Sequence, residues 1–324
     1  MKNRRMSVNE KGFTLIELVV VIALIAIVST LVISRLGGVK DSSRAKMNVA
    51  NLARVGAAVD TFLMVTEHPS LDRMDALLQK DVAAGSASSN LTTIGAHVAT
   101  SDGTNGIVLN AGLCTEAAFY GGGGAGLLCR YDLSTADVAA LENLGFKYLM
   151  YGTDGGRMTA GDDGAWSQGS LTDPAQCMSV ARTLTNGLPV AVVNPGAVSG
   201  GTPIGALAYQ ACGQDVRYTV RGKVLVDGVE QSDASAAFQT LNGRGGDGIL
   251  LALGLGSACS MVGNNQGGVD SAPTCPTITA KDEYARYIVL FRLKSDSMGG
   301  RTATYAGVLD SMGKTIDQAR AAMD

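Results

Sequence analysis

The stretch that decides the fold is GFTLIE, residues 12–17, which follows a short basic leader and begins an apolar run that continues to Ile33. A single carboxylate, that of Glu17, lies inside a segment whose composition otherwise suits a membrane core. On insertion scales, placing a carboxylate at the centre of a bilayer costs about 2.5–3.5 kcal/mol. Its presence therefore predicts that another group pairs with the carboxylate and that the carboxylate has a functional role.

The length of this run and the charges before it predict a membrane-spanning helix. As a helix, residues 13–33 span about 30 Å at roughly 1.5 Å per residue, which is the thickness of a hydrocarbon core. Secretory signal peptides have a shorter apolar core of roughly 7–15 residues. Basic flanks keep an N-terminus cytoplasmic. The leader, residues 1–12, is basic through Lys2, Arg4, Arg5 and Lys11.

This N-terminal segment resembles that of type IV prepilins and of type II secretion pseudopilins. The resemblance rests on the glycine that ends a basic leader, on the phenylalanine after it and on the glutamate at the fifth position of the cut chain. It implies that prepilin peptidase cleaves between Gly12 and Phe13, that Phe13 is N-methylated and that Glu17 sets the packing of subunits in a filament. The resemblance extends over the leader, the apolar run and the helix after it, to about Pro69.

The same resemblance implies partners and a location. The partners are the prepilin peptidase, which is also the methyltransferase, other pilin or pseudopilin subunits, and an assembly platform in the inner membrane. The implied topology is a single pass through the inner membrane, with a cytoplasmic N-terminus and a periplasmic head. From there the chain would enter a pilus or pseudopilus and would reach the cell surface in the case of a pilus. The net charge of −3 gives no reason to expect binding to nucleic acid.

Hydrophobic spacing predicts that the helix runs from residue 13 to residue 66, with an amphipathic continuation over residues 34–68. Pro69 ends it, because proline lacks the backbone N–H that the next turn requires. Gly37 and Gly38 each cost about 1 kcal/mol relative to alanine, so this point is predicted to unwind locally on assembly.

Residues 69–324 are predicted to form an extracytoplasmic Gly-rich globular head. Helices are predicted from Ser70 through Val82, from Ser134 to Gly145 and from Thr315 to Met323. Strands are predicted at residues 190–193, 216–220, 223–229, 249–253, 287–293 and 305–309. The predicted fold class is α+β, with the long N-terminal helix packed on an antiparallel sheet and enough strands for an extra β-rich lobe.

Six cysteines lie beyond the apolar run, in the part predicted to face an oxidising compartment. They are Cys114, Cys129, Cys177, Cys212, Cys259 and Cys275. Six cysteines allow 15 connectivities, of which the simplest pairs neighbours in sequence (Cys114–Cys129, Cys177–Cys212, Cys259–Cys275). Buried free thiols are the alternative. A zinc site is disfavoured because no Cys-x-x-Cys occurs and both histidines, His68 and His97, lie far from every cysteine in sequence.

No arrangement of residues typical of catalysis is recognisable. The chain has no Gly-x-Ser-x-Gly and no His-Glu-x-x-His, and Gly313-Lys314-Thr315 lacks the preceding spacing of a phosphate-binding loop. Asp154, Asp162 and Asp163 lie among glycines, where ordinary turns are the better interpretation and calcium the alternative. The sequence therefore predicts no enzyme, no catalytic residue, no cofactor and no metal site.

The predicted function is that of a pilin-like structural subunit of a type II secretion pseudopilus or a type IV pilus. One alternative is a minor or tip pilin whose large head is an adhesin or another binding module. A second alternative is a periplasmic enzyme held by a membrane anchor. Ser34 stands where many major pilins carry proline, which weakens the case for a major pilin.

Overall fold

The computed structural model describes residues 15–65, 71–79, 109–113, 127–152, 178–198, 202–219, 221, 223–243, 246–263, 268–277 and 285–323. For residues 27–39, 78–79, 109–113, 152 and 178–180 the description covers the backbone alone. The chain divides into two compact units, residues 1–44 and residues 45–324.

The first element is one long helix, α1, from Leu15 to Val65. The prediction of a single helix to residue 66 is confirmed over the described residues, and the backbone is helical through Gly37 and Gly38. Within the described part of the chain, no helix combines the length and the hydropathy that a membrane crossing requires. The unwinding expected on assembly stays a prediction, and Pro69 lies outside the described residues.

In the second unit, α1 is amphipathic. Leu52, Val55, Val59 and Phe62 are at most 3% exposed, and their spacing of three and four residues places them on one face of the helix. They belong to the same core cluster as the strands of the head. Met64, on the other face, is 83% exposed.

Twelve strands follow among the described residues. They are β1 (Met74–Gln79), β2 (Leu109–Leu113), β3 (Leu128–Asp132), β4 (Tyr148–Gly152), β5 (Met178–Thr183), β6 (Pro189–Val193), β7 (Val216–Tyr218), β8 (Val224–Val226), β9 (Val229–Glu230), β10 (Ile249–Gly254), β11 (Ile288–Ser295) and β12 (Arg301–Leu309).

Nine of these strands form one sheet in the order β2-β3-β6-β10-β1-β4-β5, with β11 also paired to β10 and β12 paired to β11. The sheet is mixed, because β2 pairs with β3 and β1 with β4 in parallel, whereas the other pairs are antiparallel. The prediction of a wholly antiparallel sheet is therefore wrong. The predicted strands at residues 190–193, 249–253, 287–293 and 305–309 are confirmed, and the last two pair with each other as expected.

A second sheet has three antiparallel strands in the order β7-β8-β9. The predicted hairpin around Arg221 corresponds to β7 and β8, which pair from Val216 with Val226 to Tyr218 with Val224. The inward residues of this sheet, including Val216, Val224 and Val226, join the core cluster of the large sheet. The small sheet therefore shares the main core instead of building the separate lobe that the strand count suggested.

Among the described residues of the second unit, four shorter helices follow: α2 (Thr135–Glu142), α3 (Ile204–Ala211), α4 (Ala234–Asn242) and α5 (Ile316–Ala321). Capping boxes begin α2 at Ser134 and α5 at Thr315, which confirms both predicted helices near their predicted starts. The sequence patterns did not predict α3 or α4.

The helix predicted from Ser70 through Val82 is wrong where the structure describes it. Residues 74–79 form β1, which lies between β10 and β4 in the large sheet. Arg73 and Leu77 have φ angles of 58° and 61°, which a right-handed helix excludes. Met74 and Leu77 are buried in the core, so pairing and burial override the local helical pattern.

The state of three cysteines contradicts two of the three disulfide bonds in the simplest pairing. Cys212, Cys259 and Cys275 are free thiols, so neither Cys177–Cys212 nor Cys259–Cys275 forms. Each thiol is packed against other groups: Cys275 Sγ, for example, lies 3.4 Å from Asn48 Oδ1 and 3.0 Å from Thr277 Oγ1. Cys129 is disulfide-bonded. Cys114 and Cys177 lie outside the described residues, and so does the predicted pair Cys114–Cys129.

Thiol mapping tests this assignment. When the full chain is alkylated in denaturant without reductant, peptide mass spectrometry should find Cys212, Cys259 and Cys275 modified and Cys129 protected. Burial raises the pKa of Cys259 to about 12, so this thiol should react slowly at pH 8 before denaturation. A peptide that joins Cys259 to Cys275 would contradict the structure.

The buried face of α1 offers a matched pair for a stability test. Phe62 is 1% exposed, so Phe62→Ala should lower the free energy of unfolding by about 3–5 kcal/mol through lost burial and an internal cavity. Met64→Ala, two residues away on the exposed face, should change it by less than about 0.5 kcal/mol. Urea unfolding of the full chain in detergent measures both. Equal losses in the two variants would contradict the packing of α1.

Candidate functional site

The first unit exposes an apolar helical surface. Nine aliphatic side chains between Leu15 and Ile25 are between 43% and 82% exposed. They are Leu15, Ile16, Leu18, Val19, Val20, Val21, Ile22, Leu24 and Ile25. Because apolar residues lie on every side of the helix, no single face is reserved for water. A contiguous exposed apolar surface of this kind marks a site that a membrane or a protein covers.

Glu17 interrupts this surface with one carboxylate. It is exposed and lies in the first turn of α1, where the helix dipole favours a negative charge. Ile16, Val20 and Val21 border a shallow groove together with it, because residues three and four positions apart share a helix face. The surface thus combines non-directional apolar contact with one group whose pairing depends on position. Gly12 and Phe13, the predicted cleavage and methylation residues, lie outside the described residues.

In the second unit, a buried polar cluster ties α1 to the strands of the head, and sequence patterns did not reveal it. The Asn48 side-chain amide donates to Asp310 Oδ2 at 2.7 Å, and its oxygen accepts from the Tyr287 hydroxyl at 2.9 Å. Asn48 is 3% exposed and Asp310 is fully buried. Asn48 lies on α1, Tyr287 directly precedes β11 and Asp310 directly follows β12.

Asp310 also organises the turn that follows β12. Its Oδ1 accepts from the backbone N–H of Met312 at 2.9 Å and of Lys314 at 2.8 Å. Burial raises the pKa of Asp310, and the hydrogen bonds from Lys314, Asn48 and Met312 oppose this shift. Burial, reinforced by the charge of Asp310, likewise raises the pKa of Cys275. The carboxylate therefore serves as an acceptor that three donors from two segments share.

A second polar cluster joins α2 to β12. Asp137 is fully buried and its Oδ1 lies 2.9 Å from Arg301 Nη1, while its Oδ2 accepts from the Tyr131 hydroxyl at 2.7 Å. Arg301 Nη2 donates to the backbone oxygen of Asn242 at 2.8 Å, at the end of α4. Burial, reinforced by Asp137, raises the pKa of Tyr131. These groups hold elements of the head together.

The residues of the head that the sequence analysis considered as metal or phosphate sites are only partly described by the structure. Among the described residues, no three histidine, cysteine, aspartate or glutamate side chains are grouped as a metal site would require. Asp154, Asp162, Asp163, His68 and His97 lie outside those residues. Lys314 and Thr315 lie in the turn and cap that begin α5.

Residues 8–33 match the family model of the prokaryotic N-terminal methylation motif. This motif is the signal of type IV pilins and pseudopilins, so the predicted resemblance is confirmed for this segment. It marks a pilin-like substrate of prepilin peptidase that assembles with other pilins, and it is typical of membrane-anchored pilins. Searches of the curated proteins and of the solved structures found no match.

The buried amide–carboxylate pair can be tested by exchange. Asn48→Asp should set two carboxylates against each other, and Asp310→Asn should set two amide N–H groups against each other. Each single variant should lower the free energy of unfolding by about 1–3 kcal/mol, because a buried polar group loses its partner. The exchanged double variant restores one donor and one acceptor and should recover more than half of the loss in a double-mutant cycle. Purely additive losses would contradict the direct hydrogen bond.

Proposed function

We propose that this chain is a structural filament subunit of a type II secretion pseudopilus or a type IV pilus and that it is not an enzyme. The observation that carries the proposal is the exposed apolar surface between Leu15 and Ile25, with Glu17 in its first turn. This surface lies inside the segment that matches the methylation motif. It suits a helix that is stored in a membrane and later packed against other copies.

The physical sequence of events begins with the leader. Its basic residues hold the N-terminus in the cytoplasm while the apolar run enters the inner membrane. Prepilin peptidase then cuts between Gly12 and Phe13 and methylates the new amine. Because lipid tails already satisfy the apolar side chains, close packing and polar contacts between helices must drive their association.

Glu17 provides the positional contact in this scheme. In the filament, its carboxylate meets the methylated amine of Phe13 in a neighbouring copy. A carboxylate and an amine in an apolar environment each cost several kcal/mol, and pairing lowers that cost only at one axial register. Buried ion pairs often contribute little net stability, so we assign this pair the role of setting register.

The polar cluster around Asn48 supports the same function from the second unit. An alanine-rich or purely aliphatic contact would allow a helix to slide or rotate on the head with small energetic penalties. The hydrogen bonds from Asn48 to Asp310 and from Tyr287 to Asn48 fix one rotation and one height, because any shift leaves buried polar groups without partners. A force on the C-terminal half of α1 is therefore passed to the sheet.

The proposal predicts a separation between insertion and assembly. Glu17→Ala should remain membrane-inserted and should be cut after Gly12, but its share in sheared filaments should fall about tenfold or more, because the register contact is lost. Intact mass of the chain, carbonate extraction of membranes and the amount in the sheared fraction measure the three steps. The expected mature chain begins with methylated Phe13.

A conservative variant and a neighbour serve as controls. Glu17→Asp keeps the charge and should assemble better than Glu17→Ala. Leu18→Ala removes apolar area but keeps the carboxylate, and it should lower the filament share much less than Glu17→Ala does. Normal filament incorporation of Glu17→Ala would refute the assigned role. A chain that still begins at Met1 when the peptidase is present would refute the proposed function and direct attention to substrates of an anchored head.

A further inference from the structure

A cleft of about 370 Å³ opens in the second unit between α1 and β12. The α1 side is formed by Ala53, Gly56, Ala57 and Asp60, and the opposite side includes Tyr305 and Gly307. The end of α3 and the start of α5 close it laterally. The lining is mainly apolar, and its acidic groups, Asp60 and Asp317, are exposed to solvent.

The hollow depends on residues without long side chains. A Cβ at Gly56 would lie 3.2 Å from the Tyr305 hydroxyl, and a Cβ at Gly307 would lie 3.3 Å from Cys212 Sγ. Both contacts are tight, so β12 lies close to α1 at Gly56 and close to the end of α3 at Gly307. Ala53 and Ala57 are exposed on the wall of the cleft and leave the space above these contacts open. Larger side chains at these positions would fill it.

The same helix carries a protrusion that suits this cleft. Met47 is 51% exposed on α1, and its unbranched thioether side chain adapts readily to irregular apolar hollows. Lys46 beside it is exposed. Among the described residues, neither Lys46 nor Asp60 forms an ion pair, whereas Asp317 lies 3.7 Å from Arg320.

We propose that the cleft between α1 and β12 receives Met47 of a second copy of this chain, with Lys46 of that copy facing Asp60. The inference rests on the proposed function, and it names the contact by which one head meets the helix of the next subunit. The occupant follows from complementarity: the cleft is apolar with an acidic rim, and the protrusion is apolar with a basic neighbour. The charges lie at the rim and therefore select orientation more than they add affinity.

The geometry of this contact generates a filament. The protrusion and the cleft are different surfaces of one chain, so the contact is heterologous and leaves a free cleft at one end and a free Met47 at the other. Met47 precedes Gly56, near the middle of the cleft, by nine residues on the same helix. For two parallel helices this corresponds to an axial offset of about 13 Å, at roughly 1.5 Å per residue. Each added subunit can repeat the same offset.

Charge exchange in the full chain tests the rim of the contact. In cells that contain the peptidase, Lys46→Glu and Asp60→Lys should each lower the sheared filament fraction roughly two- to fivefold, as expected for an exposed pair. The double variant restores opposite charges between copies and should return the fraction to near wild type. Two single losses without recovery in the double variant would overturn the pairing.

Filling the cleft with a larger side chain tests whether its open space is needed for assembly. Ala57→Leu places a large side chain in the cleft and should reduce the filament fraction about tenfold or more, because it opposes entry of Met47. Ala139→Leu, on the exposed face of α2 and outside the cleft, is the matched control and should assemble normally. Thermal unfolding of both variants in detergent shows whether the head stays folded. Normal assembly of Ala57→Leu would overturn the proposal.

Cross-linking identifies the occupant and separates this proposal from the proposed function. Two differently tagged copies, one with Lys46→Cys and one with Asp60→Cys, should be joined by a short thiol cross-linker into a species that carries both tags. Both copies also carry Cys212→Ser, because the free Cys212 thiol lines the cleft. Either copy expressed with a Cys212→Ser chain that lacks the added cysteine should not form this species. A cross-link to another protein, or none despite normal filaments and a chain that begins at Phe13, would overturn this contact and leave the filament function intact. Absence of both filaments and N-terminal processing would overturn the proposed function itself.

Discussion

Helix α1 has to satisfy two environments, and this requirement shapes the rest of the molecule. Within residues 15–26 its described side chains are exposed and almost all apolar, so they need a membrane or other helices around them. Within the second unit the same helix buries Leu52, Val55, Val59 and Phe62 in the core of the head. A continuous helix is the simplest structure that meets both demands, because its backbone hydrogen bonds are internal in either environment.

The head holds α1 in one position through polar contacts as well as apolar burial. Apolar burial alone is non-directional, and it would tolerate small rotations of α1 over the sheet. Asn48 removes this freedom, since its amide and oxygen are matched to Asp310 and Tyr287 at the ends of β12 and β11. Among the described residues, these two strands form the longest pairing in the large sheet, from Ile288 with Leu309 to Ser295 with Arg301. The helix is thus fixed to the ends of the hairpin formed by β11 and β12.

The differences between sequence patterns and structure share one cause. Residues 74–79 have a pattern compatible with a short helix, yet they form β1, which pairs with β4 and, at Asp75, with β10. The pattern also cannot show that β1 and β4 run parallel, since direction depends on the path of the intervening chain. Cysteine pairing is similar: Cys259 and Cys275 are near in sequence, but both remain free thiols. In each case the outcome depends on the tertiary structure and not on the local sequence.

The sequence by itself determined the N-terminal helix, the methylation signal over residues 8–33, the place of Glu17 and most strands of the second half of the head. These features are local, because they follow from hydrophobic period, capping residues and a contiguous motif. Only the tertiary structure decided the mixed sheet, the free thiols, the cluster around Asn48 and the cleft between α1 and β12. Asn48 and Asp310 are 262 positions apart, and no periodicity within either segment indicates that folding brings them into contact.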